Sequence, residues 1–180
     1  MEYRSLDDIF AINEKLHQKL QLAVGSLTGE QAAALPEGEK WSVSQIVEHI
    51  SLVEDGIYRI CSKLLRKAEA AGQMNSGQVD LTNFMKKAEA SMDAKLEAPE
   101  YVHPVNGRTI AESLELLEAN MSRMSELKPQ FEKYDGNAFK FPHPYFGDLS
   151  AVEWLALSGG HKIRHVRQIE KLIQKAAIGI

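Results

Sequence analysis

The sequence predicts an all-α protein, a four-helix bundle with long crossover connections. Three observations carry this. Apolar residues recur at intervals of three and four along four long segments, the mark of a helix with one buried stripe. A Ser or Thr followed three residues later by Gln or Glu, the capping-box pattern, heads three of those segments. No segment shows a convincing apolar/polar alternation, and Ala and Leu are the commonest residues while Thr occurs only three times, a balance that favours helix over strand.

From Ser5, a natural cap, the stripe Leu6, Ile9, Ile12, Leu16, Leu20, Ala23 defines the first helix. Gly25, Gly29, Pro36 and Gly38 interrupt it, with Thr28 to Gln31 placed to cap a short helix before Pro36. Ser42 and Gln45 then box the start of the second long helix. Trp41 and Ile46 occupy the staple positions that fix its approach angle, and Ile46, Ile50, Val53, Ile57, Ile60 and Leu64 carry the stripe to about Ala70. Gly72 to Gly77 is a polar break. Residues 80–97 read as a lesser helix capped by Asp80, with Leu81, Phe84, Met85, Ala88 and Met92 on its apolar side. The Thr109–Glu112 box opens the third long helix, with Ile110, Leu114, Leu117, Met121 and Met124 inward and an end near Pro129. Residues 135–149 read as an ordered connection, and the Ser150–Glu153 box opens the last helix, which runs to about Ala176. The connections are too long for a minimal up-down bundle.

The 180 residues suit one domain, 1–180, because a chain of this size buries about 70% of its unfolded surface. A net charge of −4 gives no attraction to phosphate polymers, so nucleic acid is not an expected partner. No run approaches the roughly 20 apolar residues of a membrane span. The first residues lack the basic start and apolar run of a signal peptide, so a cytoplasmic location is expected. Cys61 is the single cysteine, which excludes an intrachain disulfide and a two-cysteine redox motif.

Chemistry points to the histidines. At ~100° per residue, His49 falls about 60° from Ile46 and about 40° from Val53, inside the buried stripe of the second helix. His161 and His165 stand one turn apart on the last helix, on the same side as Trp154, Ser158, Ile169 and Leu172. Imidazoles at i and i+4 can reach one ion together, and His49 from a facing helix completes a three-histidine set of the open, catalytic type. One divalent metal ion is therefore expected, with zinc or nickel first and iron, manganese or copper next. His143, just ahead of the last helix, is the candidate for contact with a substrate at the mouth of a cavity. His17 and His103 lie outside the pattern and are expected to be exposed. Cys61 is ~18 Å of helix away from His49 and reads as a small buried residue. Arg164, Arg167, Lys171 and Lys175 form a solvated face. Gly159 and Gly160, costing ~1 kcal/mol each in mid-helix, imply close helix approach or room beside His161. No serine elbow, phosphate loop, dinucleotide fingerprint or zincin motif is present.

These residues resemble the DinB-like family of bacterial metal-binding four-helix bundles. The likeness runs through Lys40-Trp41-Ser42-Val43-Ser44-Gln45-Ile46-Val47-Glu48-His49-Ile50, through His143-Pro144-Tyr145-Phe146-Gly147-Asp148-Leu149-Ser150, and through Glu153-Trp154-Leu155 and His161 to Ile169. It implies one metal-binding histidine from the second helix and two from the last, which are His49, His161 and His165 here. Some members transfer a low-molecular-weight thiol such as bacillithiol or mycothiol to an electrophile, so the resemblance implies a metal-dependent thiol S-transferase acting on a small molecule, with a homodimer as one quaternary option. A metal-dependent hydrolase is the alternative, with Glu48 and Glu54 near His49; a non-enzymatic metal-binding or stress-response bundle is the third. Residues 71–106 follow no motif of the family, which leaves the substrate open.

Overall fold

In the computed structural model, which describes residues 3–91, 96–105 and 107–178, the chain order is set by its caps. Ser5 Oγ accepts the Asp8 N–H and starts α1, Leu6–Val24. The Thr28–Gln31 box starts the short α2, Gly29–Ala33, and the Ser42–Gln45 box starts α3, Val43–Ala70. After α4, Thr82–Ala90, and a single 3₁₀ turn at Glu100–Val102, the Thr109–Glu112 box starts α5, Ile110–Glu126. The six-residue α6, Lys128–Lys133, follows. Ser150 and Glu153 exchange the two bonds of a capping box at the head of α7, Ala151–Ile178. Helices α1, α3, α5 and α7 form the bundle. Among the described residues, no helix is long and apolar enough to cross a membrane.

The structure departs from the sequence reading in several places. Lys140–His143 (β1) and Gly147–Ser150 (β2) form an antiparallel hairpin where an ordered connection without strands was expected. Three residues separate the paired His143 and Gly147, and Gly147 takes φ +74°, the left-handed region that favours glycine, as the second strand begins. The lesser helix is shorter than 80–97. Asp80 Oδ1 accepts the Thr82 N–H in a turn before α4 rather than capping it, and the helix ends at Ala90; Met92 lies outside the described residues. The third long helix breaks at Leu127, and Pro129 sits in the first turn of α6, where a missing N–H breaks no helical bond. On α1 the buried face is Ile9, Asn13, His17, Leu20 and Val24, with Ile12 and Leu16 only half-buried.

That rotation follows from a polar layer through the middle of the bundle. Two apolar clusters fill the core, one around Ile9, Ile57, Leu64, Phe131 and Leu155, the other around Leu20, Ile46, Ile50, Leu117 and Val166. Between them each helix turns a polar side chain inward: Asn13 on α1, Glu54 on α3, Asn120 on α5, and Ser158 and Lys162 on α7. Lys162 is 1% exposed, and its Nζ donates to Glu54 Oε2 at 2.8 Å and to Ser158 Oγ at 3.0 Å. Ser158 Oγ in turn donates to the Glu54 carboxylate, and Asn13 Nδ2 donates to the Leu155 carbonyl at 2.9 Å. This explains Gly159, since a Cβ there would lie 2.6 Å from Asn13 Oδ1 where α1 and α7 cross. A Cβ on Gly160 would meet nothing within 4 Å, so no such contact accounts for it.

Candidate metal centre

His49 projects from the second turn of α3, and His161 and His165 from the middle of α7, as their helical phase predicts. Their Nε2 atoms converge. His161 Nε2 lies 3.2 Å from His49 Nε2 and 3.1 Å from His165 Nε2. Together the three form the group of side chains able to hold a metal ion among the described residues.

Two of the rings are oriented from behind. His49 Nδ1 lies 2.7 Å from the Val102 carbonyl, which can only accept, so Nδ1 carries the proton and Nε2 presents its lone pair inward. His165 Nδ1 donates likewise to Gln168 Oε1 at 2.9 Å, one turn further along α7. His161 Nδ1 is buried without a partner. At most one inward proton, on His161, is then available to two inward lone pairs. An arrangement that leaves an unprotonated nitrogen facing its neighbours at 3.1 to 3.2 Å fits a cation among them.

Electrostatics point the same way. Desolvation is the main cause that lowers the pKa of His49, takes that of His161 well below the ordinary value, and brings that of His165 to about 3. Neighbouring imidazoles add to the effect at His161 and His165. All three are neutral at pH 7, the form that ligates metals.

The other candidates are placed elsewhere. The His143 ring stacks on Phe146 at 4.7 Å and meets Trp154 at 5.1 Å, about 10 Å of helix rise before His161. Its Nδ1 accepts the Tyr145 and Phe146 amides, and burial takes its pKa down to about 4. His17 is buried rather than exposed, with Nε2 3.0 Å from Glu118, because the polar layer draws the Asn13–His17 face of α1 inward. His103 is half-buried, its Nε2 on the Ala98 carbonyl and its ring edge-on to Trp41. Cys61 is fully buried, donates weakly to the Ala151 carbonyl, and has its thiol pKa pushed up by desolvation. On the basic face of α7, Arg164 reaches the Ser91 carbonyl and Lys175 pairs with Glu39. The supporting atoms differ in how visible they are in sequence. Gln168 is legible at i+3 from His165; the Val102 carbonyl is not, because only the tertiary fold brings it to His49.

Comparison with known proteins agrees with this architecture. The sequence model of the DinB superfamily matches residues 13–169, a span containing all three histidines. Protein YuaE of Bacillus subtilis, described as uncharacterized, is 22% identical over 155 residues, covering 83% of this chain and 87% of that one. Among solved structures, YfiT from Bacillus subtilis, described as a probable metal-dependent hydrolase with an unusual four-helix bundle topology, superposes with a TM-score of 0.61 at 20% identity, over 98% of this chain and 92% of its own. TT2238, described as a four-helix bundle protein, gives 0.59 at 20% identity over 91% and 96%. These two likenesses show the fold, and the family match spans most of the sequence: the chain belongs to the DinB superfamily.

Proposed function

We propose that this protein is a metal-dependent transferase that adds a low-molecular-weight thiol, of the bacillithiol or mycothiol type, to a small electrophile. The observation that carries the reading is the convergence of three neutral imidazoles through Nε2. Three protein ligands leave coordination positions for a cosubstrate. A bound divalent ion, zinc or nickel before iron, manganese or copper, would favour the deprotonated, nucleophilic form of a thiol or water that binds it.

The chain's own groups do the rest. Val102 and Gln168 hold His49 and His165 with their lone pairs inward, and Trp41 packs against the His49 ring at 4.9 Å, keeping solvent from that side. Cys61 supports an outside sulfur, being buried with a raised pKa and so unsuited to be the nucleophile. In this reading His143 meets the distal part of the substrate through Nε2.

A hydrolase is the second reading, favoured by the likeness to YfiT. It calls for a base near the nucleophilic water, and both candidate carboxylates are engaged elsewhere: Glu54 with Ser158 and Lys162, Glu48 with the Arg108 N–H. The test is elemental analysis of the purified protein, followed by an electrophile screen with and without added thiol. Thiol-dependent turnover is expected. Turnover indifferent to thiol would establish the hydrolase instead, and metal-dependent folding with no turnover would favour a non-enzymatic bundle.

A further inference from the structure

We propose that Glu48 is a positioning residue for the three-histidine centre, an inference that rests on the metal-binding reading above. Glu48 is 0% exposed, and a carboxylate withdrawn from water needs hydrogen-bond partners to offset its lost hydration. It stands beside His49 on α3 but points some 100° around the helix, away from the Nε2 cluster. Its Oε2 accepts the backbone N–H of Arg108 at 3.3 Å. Gly107, at φ +63°, makes the left-handed turn immediately before that amide.

The segment so held supports the centre. Six residues upstream of Arg108 is Val102, whose carbonyl fixes the His49 tautomer at 2.7 Å. Between them His103 packs edge-on to Trp41, which itself lies against His49. The connection from the 3₁₀ turn to α5 is thus tied to α3 at two adjacent residues, by His49 at one end and by Glu48 at the other. A backbone carbonyl cannot orient an imidazole unless its own segment is fixed, and Glu48 supplies the second fixed point. Outer groups of this kind typically change metal affinity 10- to 100-fold when removed.

Two variants separate positioning from mere filling of space. Glu48→Gln keeps an oxygen that accepts the Arg108 N–H; Glu48→Met keeps the length and helix propensity of the side chain but offers no comparable acceptor. Zn²⁺ affinity is measured by competition with a chromophoric chelator, and the His49 Nδ1–H signal is followed by ¹H–¹⁵N NMR in metal-free protein. For Glu48→Met the expected result is a roughly 10- to 100-fold loss of Zn²⁺ affinity together with faster solvent exchange of the His49 Nδ1 proton, with Glu48→Gln within about threefold of wild type in both. Wild-type affinity and exchange in Glu48→Met, or equal loss in Glu48→Gln, would overturn the proposal. If wild-type protein binds neither Zn²⁺ nor Ni²⁺, Fe²⁺, Mn²⁺ or Cu²⁺, the metal reading fails, while the metal-free exchange measurement still decides whether Glu48 holds the Val102–His49 contact.

Discussion

Truncating His49, His161 or His165 to Ala removes one of three convergent nitrogens and leaves two, too few to hold an ion against water and buffer. Each variant should carry at least about tenfold less metal per chain than wild type by elemental analysis; unchanged content in all three would refute the site. His143 has a different signature. Its imidazole, ordinarily near 6.5, is held to about 4 by burial in the hairpin, so the folded protein resists a proton that the unfolded chain accepts. The neutral ring's contribution is complete above pH 6.5 and is lost as the pH falls through about 4. His143→Asn keeps an acceptor for the turn amides without titrating. Its melting temperature should therefore fall less than that of wild type between pH 7 and pH 4.5, and equal falls would show that His143 does not titrate as the geometry requires. At this scale the convergence of the three histidines is legible because helical phase alone fixes their direction. The buried state of His17 is not, because it depends on Glu118 from α5.

At the scale of the element, the head of α3 joins stability to the site. The Ser42–Gln45 box satisfies the first helical amides, and Trp41 lies against both His49 and His103. Ser42→Ala should cost about 1 kcal/mol. Trp41→Ala should cost more, toward the lower end of the ~3–5 kcal/mol for a core tryptophan because this ring is only half-buried. Only the tryptophan variant strips a contact from the ring of His49, a candidate ligand, so it should weaken metal binding further than Ser42→Ala does. Paired thermal melts and competitive metal titrations check this; wild-type affinity in a clearly destabilised Trp41→Ala protein would show that cap and centre are uncoupled. The boxes at Ser42, Thr109 and Ser150 place the starts of α3, α5 and α7 from sequence, since each is a local hydrogen-bond pattern. Helix α4 shows its period but no side-chain cap, so its existence is legible and its bounds are not, whereas the β1–β2 hairpin is too short to show a period and Pro142 masks β1 as a strand.

For the molecule as a whole, the charged layer is the feature that apolar periodicity could not disclose, because the stripes count only what is apolar. Glu54→Ala leaves the Lys162 ammonium buried without its carboxylate and should destabilise by about 3–5 kcal/mol. Replacing both partners, Glu54→Leu with Lys162→Met, should recover most of that loss in urea unfolding; a double variant no better than the single one would mean that the layer is held by other groups. The candidate metal-binding residues lie far apart along the chain. His49 and His161 are 112 residues apart, so an ion shared by them would close a very long loop and act as a reversible cross-link between the two halves of the sequence. An ion that binds only the folded chain stabilises it by mass action, not by restricting the unfolded chain. Contacts that an ion would complete only after both halves have docked belong to the native state more than to the folding barrier. Metal should therefore lengthen the lifetime of the folded chain while barely changing how fast it folds, so that in stopped-flow experiments chelator steepens the loss of native signal and leaves the refolding rate nearly untouched.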